Sequence, residues 1–205
     1  MNSFFAILIG YLLGSISFSY LLGKTIKKVD IRNYGSGNAG ATNTLRVLGK
    51  GPAIAVLLLD IAKGIAAVII GYLLGEAEWV PFLAGLFAVI GHNWPVFFSF
   101  RGGKGVATTI GVLLVLVPIP SLIAGVGAIL LIFLTKYVSL GSLVFTGLTP
   151  IFILFFDRYP LSYVYIALIF ALLSFWQHRS NIKRIIQGTE NKLGEKSKIE
   201  EVKHS

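Results

Sequence analysis

Long apolar runs separated by short polar clusters dominate the chain and restrict what it can fold into. Charged residues make up only 13% of the 205 residues, too few to cover a soluble domain of this size. Helical crossing of a hydrocarbon core about 30 Å thick needs about 20 apolar residues. The sequence therefore predicts an all-α integral membrane protein with seven transmembrane helices. The seven apolar runs are 4–23, 53–75, 80–99, 106–118, 121–135, 140–156 and 161–177.

Two of these runs have an alternative interpretation. Runs four and five are short and are separated only by Val117-Pro118-Ile119-Pro120, so they could form one re-entrant hairpin. The first run resembles a signal peptide in length, but Met1-Asn2-Ser3 lacks a positive n-region, and we interpret the run as a retained span.

Basic residues predict the orientation of the chain. If the N-terminus lies outside, 16 of the 18 Lys and Arg residues fall on the inner side, leaving Arg158 outside and Lys63 within the second run. Such asymmetry in short loops follows the positive-inside rule, so the C-terminus is predicted to be cytoplasmic. The net charge of +9 then indicates contact with anionic lipid. No nucleic-acid partner is predicted, because no basic surface interleaved with aromatics occurs.

One membrane domain is predicted over residues 1–192, followed by a polar cytoplasmic tail at 193–205. The chain has no cysteine, which excludes disulfides and thiolate chemistry. The three histidines have no carboxylate at ligand spacing, so neither a metal site nor a cofactor is predicted.

The first polar island spans residues 30–46 of the predicted inner face. Its glycines permit close backbone approach to a ligand, and successive N–H groups in such turns bind anions. A short helix is predicted from Thr42 to Leu48, and Arg46 adds a guanidinium suited to phosphate. The alternative is a flexible loop whose glycines only make turns. The candidate ligand-binding residues are Gly35, Ser36, Gly37, Asn38, Thr42, Asn43 and Arg46.

The second island spans residues 91–109 and includes Arg101-Gly102-Gly103-Lys104-Gly105 at a predicted helix start. Backbone donors, a lysine charge and a helix N-terminus favour phosphate binding there. The spacing is not that of a Walker A motif, so no nucleotide is inferred. The alternative is a positively charged anchor with turn glycines. His92 and Asn93 are interpreted as buried residues that fix the loop.

The third island spans residues 176–192. His178 and Asn181 are predicted to share a helical face at the end of the last span, and Glu190 to pair with a basic residue.

Two smaller features lie outside the islands. Ser142 could donate to a substrate or merely cap a helix. Asp60 and Lys63 form an ionisable pair inside the second span, which is costly and indicates a functional pair. The alternatives are a pair that only neutralises itself and one that positions the first island.

These islands resemble the bacterial family of acyl-phosphate-dependent glycerol-3-phosphate acyltransferases over residues 4–192. The His-x-x-x-x-Asp pair of the common glycerolipid acyltransferases is absent. The residue five positions after His92 is Phe97, and the residue five positions after His178 is Lys183. The matching motifs are Gly35-Ser36-Gly37-Asn38-Ala39-Gly40-Ala41-Thr42-Asn43 with Arg46, Gly91-His92 with Phe100-Arg101-Gly102-Gly103-Lys104-Gly105-Val106-Ala107-Thr108, and His178-Arg179-x-Asn181-Ile182 with Gly188-x-Glu190.

The resemblance implies seven helices in the bacterial inner membrane and an active site facing the cytoplasm. It implies acyl transfer from acyl-phosphate to glycerol 3-phosphate, giving 1-acyl-glycerol 3-phosphate and phosphate in the first acylation of phospholipid synthesis. By similarity, Ser36, Arg46, His178 and Asn181 are catalytic and Glu190 is structural. The residues implied in substrate binding are Gly35, Gly37, Asn38, Thr42, Arg101, Gly102, Gly103, Lys104, Gly105 and Ser142.

Two points stay open from the sequence. Either His178 or a substrate phosphate can serve as the base. A transporter of phosphate or a phosphorylated metabolite, and a lipid-binding scaffold, are the rival classes, although no internal repeat supports a transporter.

Overall fold

The computed structural model describes residues 1–194, and within this range the secondary structure is entirely helical. Two short 3-10 turns, Ile31–Asn33 and Val96–Phe98, accompany ten α-helices. The helices are α1 Asn2–Gly14, α2 Phe18–Lys27, α3 Ala41–Leu48, α4 Lys50–Leu74, α5 Val80–Asn93, α6 Val106–Leu116, α7 Pro118–Thr135, α8 Val138–Ile153, α9 Leu161–Gln177 and α10 Arg179–Ile186. Most of the polar tail expected at 193–205 lies outside the described residues.

Each predicted apolar run is helical, but run 4–23 is divided into α1 and α2, and the helices differ in length. Among residues 1–194, four segments are long and apolar enough to cross a membrane: Asn2–Lys27, α4, Val80–Phe98 and α7. A fifth is added if α9 and α10, which meet at a bend of 63°, count as one span. Helices α6 and α8 are apolar but shorter. The all-helical membrane class is confirmed, and the number of crossings stays a prediction.

Small residues bring the helix backbones into contact. Gly10 and Gly14 of α1 lie against the backbones of Ala84 and Ala88 of α5, so closely that a Cβ would overlap them. Gly64 of α4 packs in the same way on α6. Membrane helices associate through such packing because lipid gives no hydrophobic drive between them. The core is centred on α5, α6 and α9 and includes Val89, Val112, Leu113, Ala167 and Phe170.

Large apolar side chains cover the outside of the helices. Val126, Ile129 and Phe133 of α7 are each more than two-thirds exposed. A soluble protein rarely exposes such a continuous apolar face, so this surface fits a lipid environment.

The third island differs from its predicted geometry. The last long helix ends at Gln177 and a new helix begins at Arg179, so His178 and Asn181 do not share one continuous helix. The junction residue His178 has φ −98° and ψ 7°, outside the helical range. The bend turns α10 across the end of the bundle, where both side chains are buried.

Candidate active site

Asn43 organises the first island around its own side chain. Its Oδ1 accepts from the Ser36 backbone N–H at 2.8 Å, and its Nδ2 donates to the carbonyls of Ile31 and Tyr34 at 3.1 and 3.0 Å. Gly35 adopts φ +61°, and a Cβ there would overlap Asn43 Oδ1. The loop can therefore close on Asn43 only with glycine at 35, and it leaves Ser36 exposed.

The helix of the first island, α3, is fastened to α2. Ser19 Oγ and Thr44 Oγ1 share a buried hydrogen bond of 2.8 Å, and Lys27 Nζ donates to the Val47 carbonyl at 2.8 Å. Thr42 and Arg46 lie on this short helix, which fixes Arg46 relative to the first span.

Arg32 joins the first island to the second. It forms an ion pair with Asp30 at 2.7 Å, and its Nη1 donates to the carbonyls of Phe98 and Arg101 at 2.7 and 3.3 Å. The hydrogen bonds from Arg32 lower the pKa of Asp30 despite the opposing effect of burial. The backbone N–H of Ala39 also donates to the Gly102 carbonyl at 3.4 Å. Two loops far apart in sequence are therefore held side by side.

Lys104 joins the second island to the third. Its ammonium donates to Asn181 Oδ1, while Asn181 Nδ2 donates to Glu190 Oε1 at 2.6 Å. Glu190 also accepts from Ser139 Oγ and Arg184 Nε, each at 2.8 Å. Glu190 is thus buried and accepts hydrogen bonds from three residues on two helices, α8 and α10.

The three islands enclose one polar cavity of about 270 Å³. Its cationic residues are Lys104, Arg179 and Arg184, and no carboxylate from residues 1–194 lines it. Glycine backbone and small polar side chains complete the wall. Such a surface favours a phosphorylated anion. The full lining is Ser36, Asn38, Asn93, Gly102, Gly103, Lys104, Gln177, Arg179, Ser180 and Arg184.

Burial and the neighbouring charges perturb Lys104. Burial lowers its pKa to about 8, Glu190 opposes this change, and the cations of Arg184 and Arg46 add to it. A dianion bound in the cavity would offset the repulsion from Arg184 and Arg46 and would stabilise the charged form of Lys104.

His178 is neutral and has a defined tautomer. Its Nδ1 lies 2.8 Å from the Ser174 carbonyl, which can only accept, so Nδ1 carries the proton and Nε2 holds a lone pair. Burial and the charge of Lys104 lower the pKa of His178 to about 4. Nε2 can therefore accept a proton, but it is a weak base.

The structure brings many of the expected residues together. Ser36, Asn38, Gly102, Gly103 and Lys104 line the cavity, with Gly35 and Gly37 flanking Ser36 and Asn181 bonded to Lys104. Arg46 lies close enough to Lys104 to affect its pKa.

Other expected residues lie beside the cavity and do not line it. Arg101 uses its backbone carbonyl to accept from Arg32, and Gly105 precedes α6. Ser142 donates to Val138 within α8 at 2.9 Å. Thr42 lies in the first turn of α3, and His178 is 3% exposed behind the lining.

Five lining residues were not singled out from the sequence as substrate ligands: Asn93, Gln177, Arg179, Ser180 and Arg184. Asn93 stands out because both polar atoms of its buried side chain lack a hydrogen-bond partner among the described residues. Its place inside the second island is the signal that could have identified it. Arg179 and Arg184 follow the bend at His178, which brings α10 to the cavity. No group of three potential metal-ligating side chains occurs within residues 1–194.

The fold and the site together define an integral membrane protein with a cationic pocket for a phosphorylated substrate. Comparison with known proteins specifies the class further. Residues 4–188 match the family model described as glycerol-3-phosphate acyltransferase. The chain belongs to this family, so the resemblance noted in its motifs is confirmed.

Relatives and solved structures agree with this assignment. A glycerol-3-phosphate acyltransferase of Shouchella clausii is 62% identical over 195 residues, covering 93% of this chain and 95% of the relative. A glycerol-3-phosphate acyltransferase of Halalkalibacterium halodurans is 59% identical over 192 residues, covering 91% of this chain and 93% of the relative. The crystal structure of PlsY (YgiH), an integral membrane glycerol 3-phosphate acyltransferase in its glycerol 3-phosphate form, aligns with a TM-score of 0.85 at 39% identity, covering 95% of this chain and 96% of that one. The lysophosphatidic acid form of PlsY aligns with a TM-score of 0.82 at 38% identity, covering 94% of this chain and 95% of that one. An acyltransferase is thus selected over the transporter and the scaffold.

Proposed function

We propose that this enzyme transfers an acyl group from acyl-phosphate to glycerol 3-phosphate, releasing phosphate and 1-acyl-glycerol 3-phosphate as the first acylation of phospholipid synthesis. The observation that carries the proposal is the single cavity in which Ser36 of the first island, Lys104 of the second and Arg184 of the third converge. Both substrates are phosphorylated, and a cavity with cations from two islands and a hydroxyl from another suits them.

The glycine loop, defined as residues 102–105, is assigned to the phosphate of glycerol 3-phosphate. Gly102 and Gly103 line the cavity beside Lys104, so one anion can approach both the loop backbone and the ammonium. Asn93 lies in the same wall with its amide unpartnered, and it suits a glycerol hydroxyl.

Ser36 and Arg46 are assigned to the acyl-phosphate. Ser36 is exposed at the cavity wall, and Arg46 lies on the adjoining helix α3. A guanidinium binds phosphoryl oxygens well and stabilises charge on the phosphate as it leaves.

The acyl tail is assigned to an apolar groove of about 410 Å³ between α8, α9 and α10. Ile182 of this groove follows Asn181 directly, so the groove adjoins the residue that bonds Lys104. The lining is entirely apolar: Leu140, Leu143, Val144, Gly147, Leu148, Phe175, Ile182, Ile185 and Ile186.

The reaction joins the primary hydroxyl oxygen of glycerol 3-phosphate to the acyl carbon and breaks the bond from that carbon to the phosphate oxygen. The hydroxyl proton goes either to His178 Nε2 or to a phosphate oxygen of the donor. We favour the phosphate, because His178 with a pKa of about 4 is a weak base at neutral pH. The protein then acts through positioning and charge stabilisation.

The proposed topology has seven spans in a bacterial inner membrane, with the N-terminus outside and the cavity facing the cytoplasm. Its support is the placement of 16 of 18 basic residues on one side. The proposed catalytic unit is a single domain over residues 1–192.

The test uses purified protein and labelled glycerol 3-phosphate, with acyl-phosphate, acyl-CoA and acyl-carrier protein as competing donors. We expect labelled 1-acyl-glycerol 3-phosphate with acyl-phosphate alone, and loss of product on Ser36→Ala. Product formed faster from acyl-CoA or acyl-carrier protein would refute the proposed donor. Equal turnover by Ser36→Ala would refute the role given to Ser36.

A further inference from the structure

A buried ion pair lies in α4, apart from the cavity residues. Asp60 and Lys63 are one turn apart, with Lys63 Nζ 2.8 Å from Asp60 Oδ1, and their side chains are only 2% and 3% exposed. Neither residue lines the cavity. Burying two ions costs several kcal/mol each before their attraction compensates, so stability alone is a weak reason for the pair.

The three N–H groups of the Lys63 ammonium connect different parts of the fold. Besides Asp60, the Lys63 Nζ lies 3.0 Å from the Gly14 carbonyl oxygen, 2.9 Å from the Ile16 carbonyl oxygen and 2.9 Å from His92 Nδ1. The two carbonyls lie at the break between α1 and α2. In its contact with the Lys63 ammonium, His92 Nδ1 can only accept. The same Nδ1 lies 3.5 Å from Asp60 Oδ1, so the imidazole contacts both ions of the pair.

His92 carries the network to the glycine loop. Its backbone carbonyl accepts from the Gly103 N–H at 3.0 Å. Its ring lies so close to Gly103 that a Cβ there would overlap Nε2, and the same Cβ would stand 2.8 Å from the Ala39 carbonyl. The imidazole therefore supports the loop backbone at the residue before Lys104, where the first and second islands meet.

We propose that Asp60, Lys63 and His92 form a positioning network that holds the glycine loop in place and so directs Lys104 toward the phosphate of glycerol 3-phosphate. Asp60 holds Lys63, Lys63 fixes the orientation of the His92 ring, and the ring fixes Gly103. None of the three contacts the substrate. The inference rests on the proposed function, in which this loop binds glycerol 3-phosphate.

Two substitutions at His92 separate its two contacts. In His92→Asn the side-chain oxygen can replace Nδ1 as acceptor for Lys63, but the side chain is too short to reach Gly103. In His92→Gln the longer amide reaches the position of Nε2. We expect His92→Asn to raise the KM for glycerol 3-phosphate by about 10-fold or more, equivalent to about 1.4 kcal/mol, and to leave the KM for acyl-phosphate nearly unchanged. His92→Gln should restore most of the loss.

A second variant tests the buried pair. Asp60→Asn combined with Lys63→Met removes both charges and leaves no unpaired ion in the membrane. It should raise the KM for glycerol 3-phosphate as His92→Asn does. Thr149→Val is the matched control, because Thr149 is fully buried and its hydroxyl donates only to its own helix, to Phe145 at 2.7 Å. Its KM for glycerol 3-phosphate should equal that of the parent.

Calorimetric titration with glycerol 3-phosphate, without an acyl donor, measures the same effect without turnover. If the parent binds glycerol 3-phosphate but does not use acyl-phosphate, the proposed donor fails while the network is still tested by the variants' affinities. Parental affinity in His92→Asn would overturn the network. An equal loss in His92→Asn, His92→Gln and Thr149→Val, or failure of both His92 variants to elute as folded protein, would show a general structural role and also overturn it.

Discussion

Lys104 combines two tasks at the residue scale. It lines the cavity and donates to Asn181, so the ammonium proposed to bind the substrate also links two islands. The sequence predicted the first task from the glycines around Lys104. It could not predict the second, because the contact spans 77 residues and depends on the bend at His178.

We predict that Lys104→Ala raises the KM for glycerol 3-phosphate by about 10- to 100-fold, since a hydrogen bond to a charged group contributes about 1.5–3 kcal/mol. The kcat at saturating substrate should fall much less, because binding and transition state lose the same contact. Initial rates over a range of glycerol 3-phosphate concentrations measure both constants. An unchanged KM would contradict the assigned contact.

The pKa of Lys104 predicts a pH effect on the same constant. With a pKa of about 8, the ammonium is mostly charged at pH 7 and mostly neutral at pH 9. Loss of charge weakens binding of a phosphate dianion, so the KM should rise about 10-fold from pH 7 to 9. In Lys104→Arg the cation does not titrate, and the profile should be flat over this range. A flat profile in the parent would refute the assignment.

His178 gives the residue-scale test of the base. We expect His178→Gln to reduce kcat by less than the roughly 100- to 10,000-fold that general base catalysis contributes, since a substrate phosphate can take the proton. Single-turnover rates at pH 7 measure the chemical step. A 100- to 10,000-fold loss of the single-turnover rate, in a variant whose circular dichroism shows an intact fold, would establish His178 as the base.

Glu190 shows at the element scale how α10 is held in place. Burial alone would raise its pKa, but hydrogen bonds from Asn181, Ser139 and Arg184 outweigh burial and lower the pKa. The carboxylate therefore ties α8 and α10 together. The sequence predicted a basic partner for Glu190, but its contact with Ser139 depends on how α8 and α10 pack.

We predict that Glu190→Gln destabilises the protein by about 1–3 kcal/mol, because its amide nitrogen would face the Arg184 donor. Thermal unfolding in detergent measures the change, with Arg158→Gln as the control at a distant exposed arginine. An unchanged Tm would show that the Arg184 contact contributes little.

The lowered pKa also fixes the sign of the pH effect. Stability from ionised Glu190 is present above the unfolded value near 4.5 and is lost as pH falls through the lower folded value. The parent should therefore lose more stability on acidification than Glu190→Gln does.

The break between α1 and α2 was not predicted at the element scale. Run 4–23 is uniformly apolar and suggests one helix, yet the chain opens at Ser15–Ser17. Helix breaks in a membrane need partners for the backbone groups they expose, and Lys63 supplies two. The partner lies 47 residues or more away, so no local pattern indicates the break.

Hydropathy and charge gave most of the architecture at the scale of the whole molecule. The run 140–156 corresponds to α8 at Val138–Ile153, and the run 161–177 to α9 with the same bounds. The pattern of apolar residues predicts these helices because surfaces that face lipid must be apolar. The assembly of the site could not be derived in the same way, since contacts such as Arg32 to Phe98 depend on packing.

The absence of cysteine from the sequence permits a direct test of topology. Single cysteines at Lys50, Lys136 and Lys192 should be shielded from a membrane-impermeant thiol reagent applied outside intact cells. Cysteines at Glu76 and Arg158 should react, because they are predicted to lie outside. Permeabilised cells provide the control for accessibility. Labelling of Lys50 and Lys136 variants from opposite sides would refute the common cytoplasmic face.

The position of Glu190 also bears on biosynthesis. Within residues 1–194 it is the last residue to join the hydrogen bonds around Asn181, and those bonds can form only after residue 190 has left the ribosome. Nascent chains ending before α10 would contain the glycine loop but would lack Asn181 beside Lys104. We therefore expect catalysis to begin only after α8, α9 and α10, which line the apolar groove, have been synthesised.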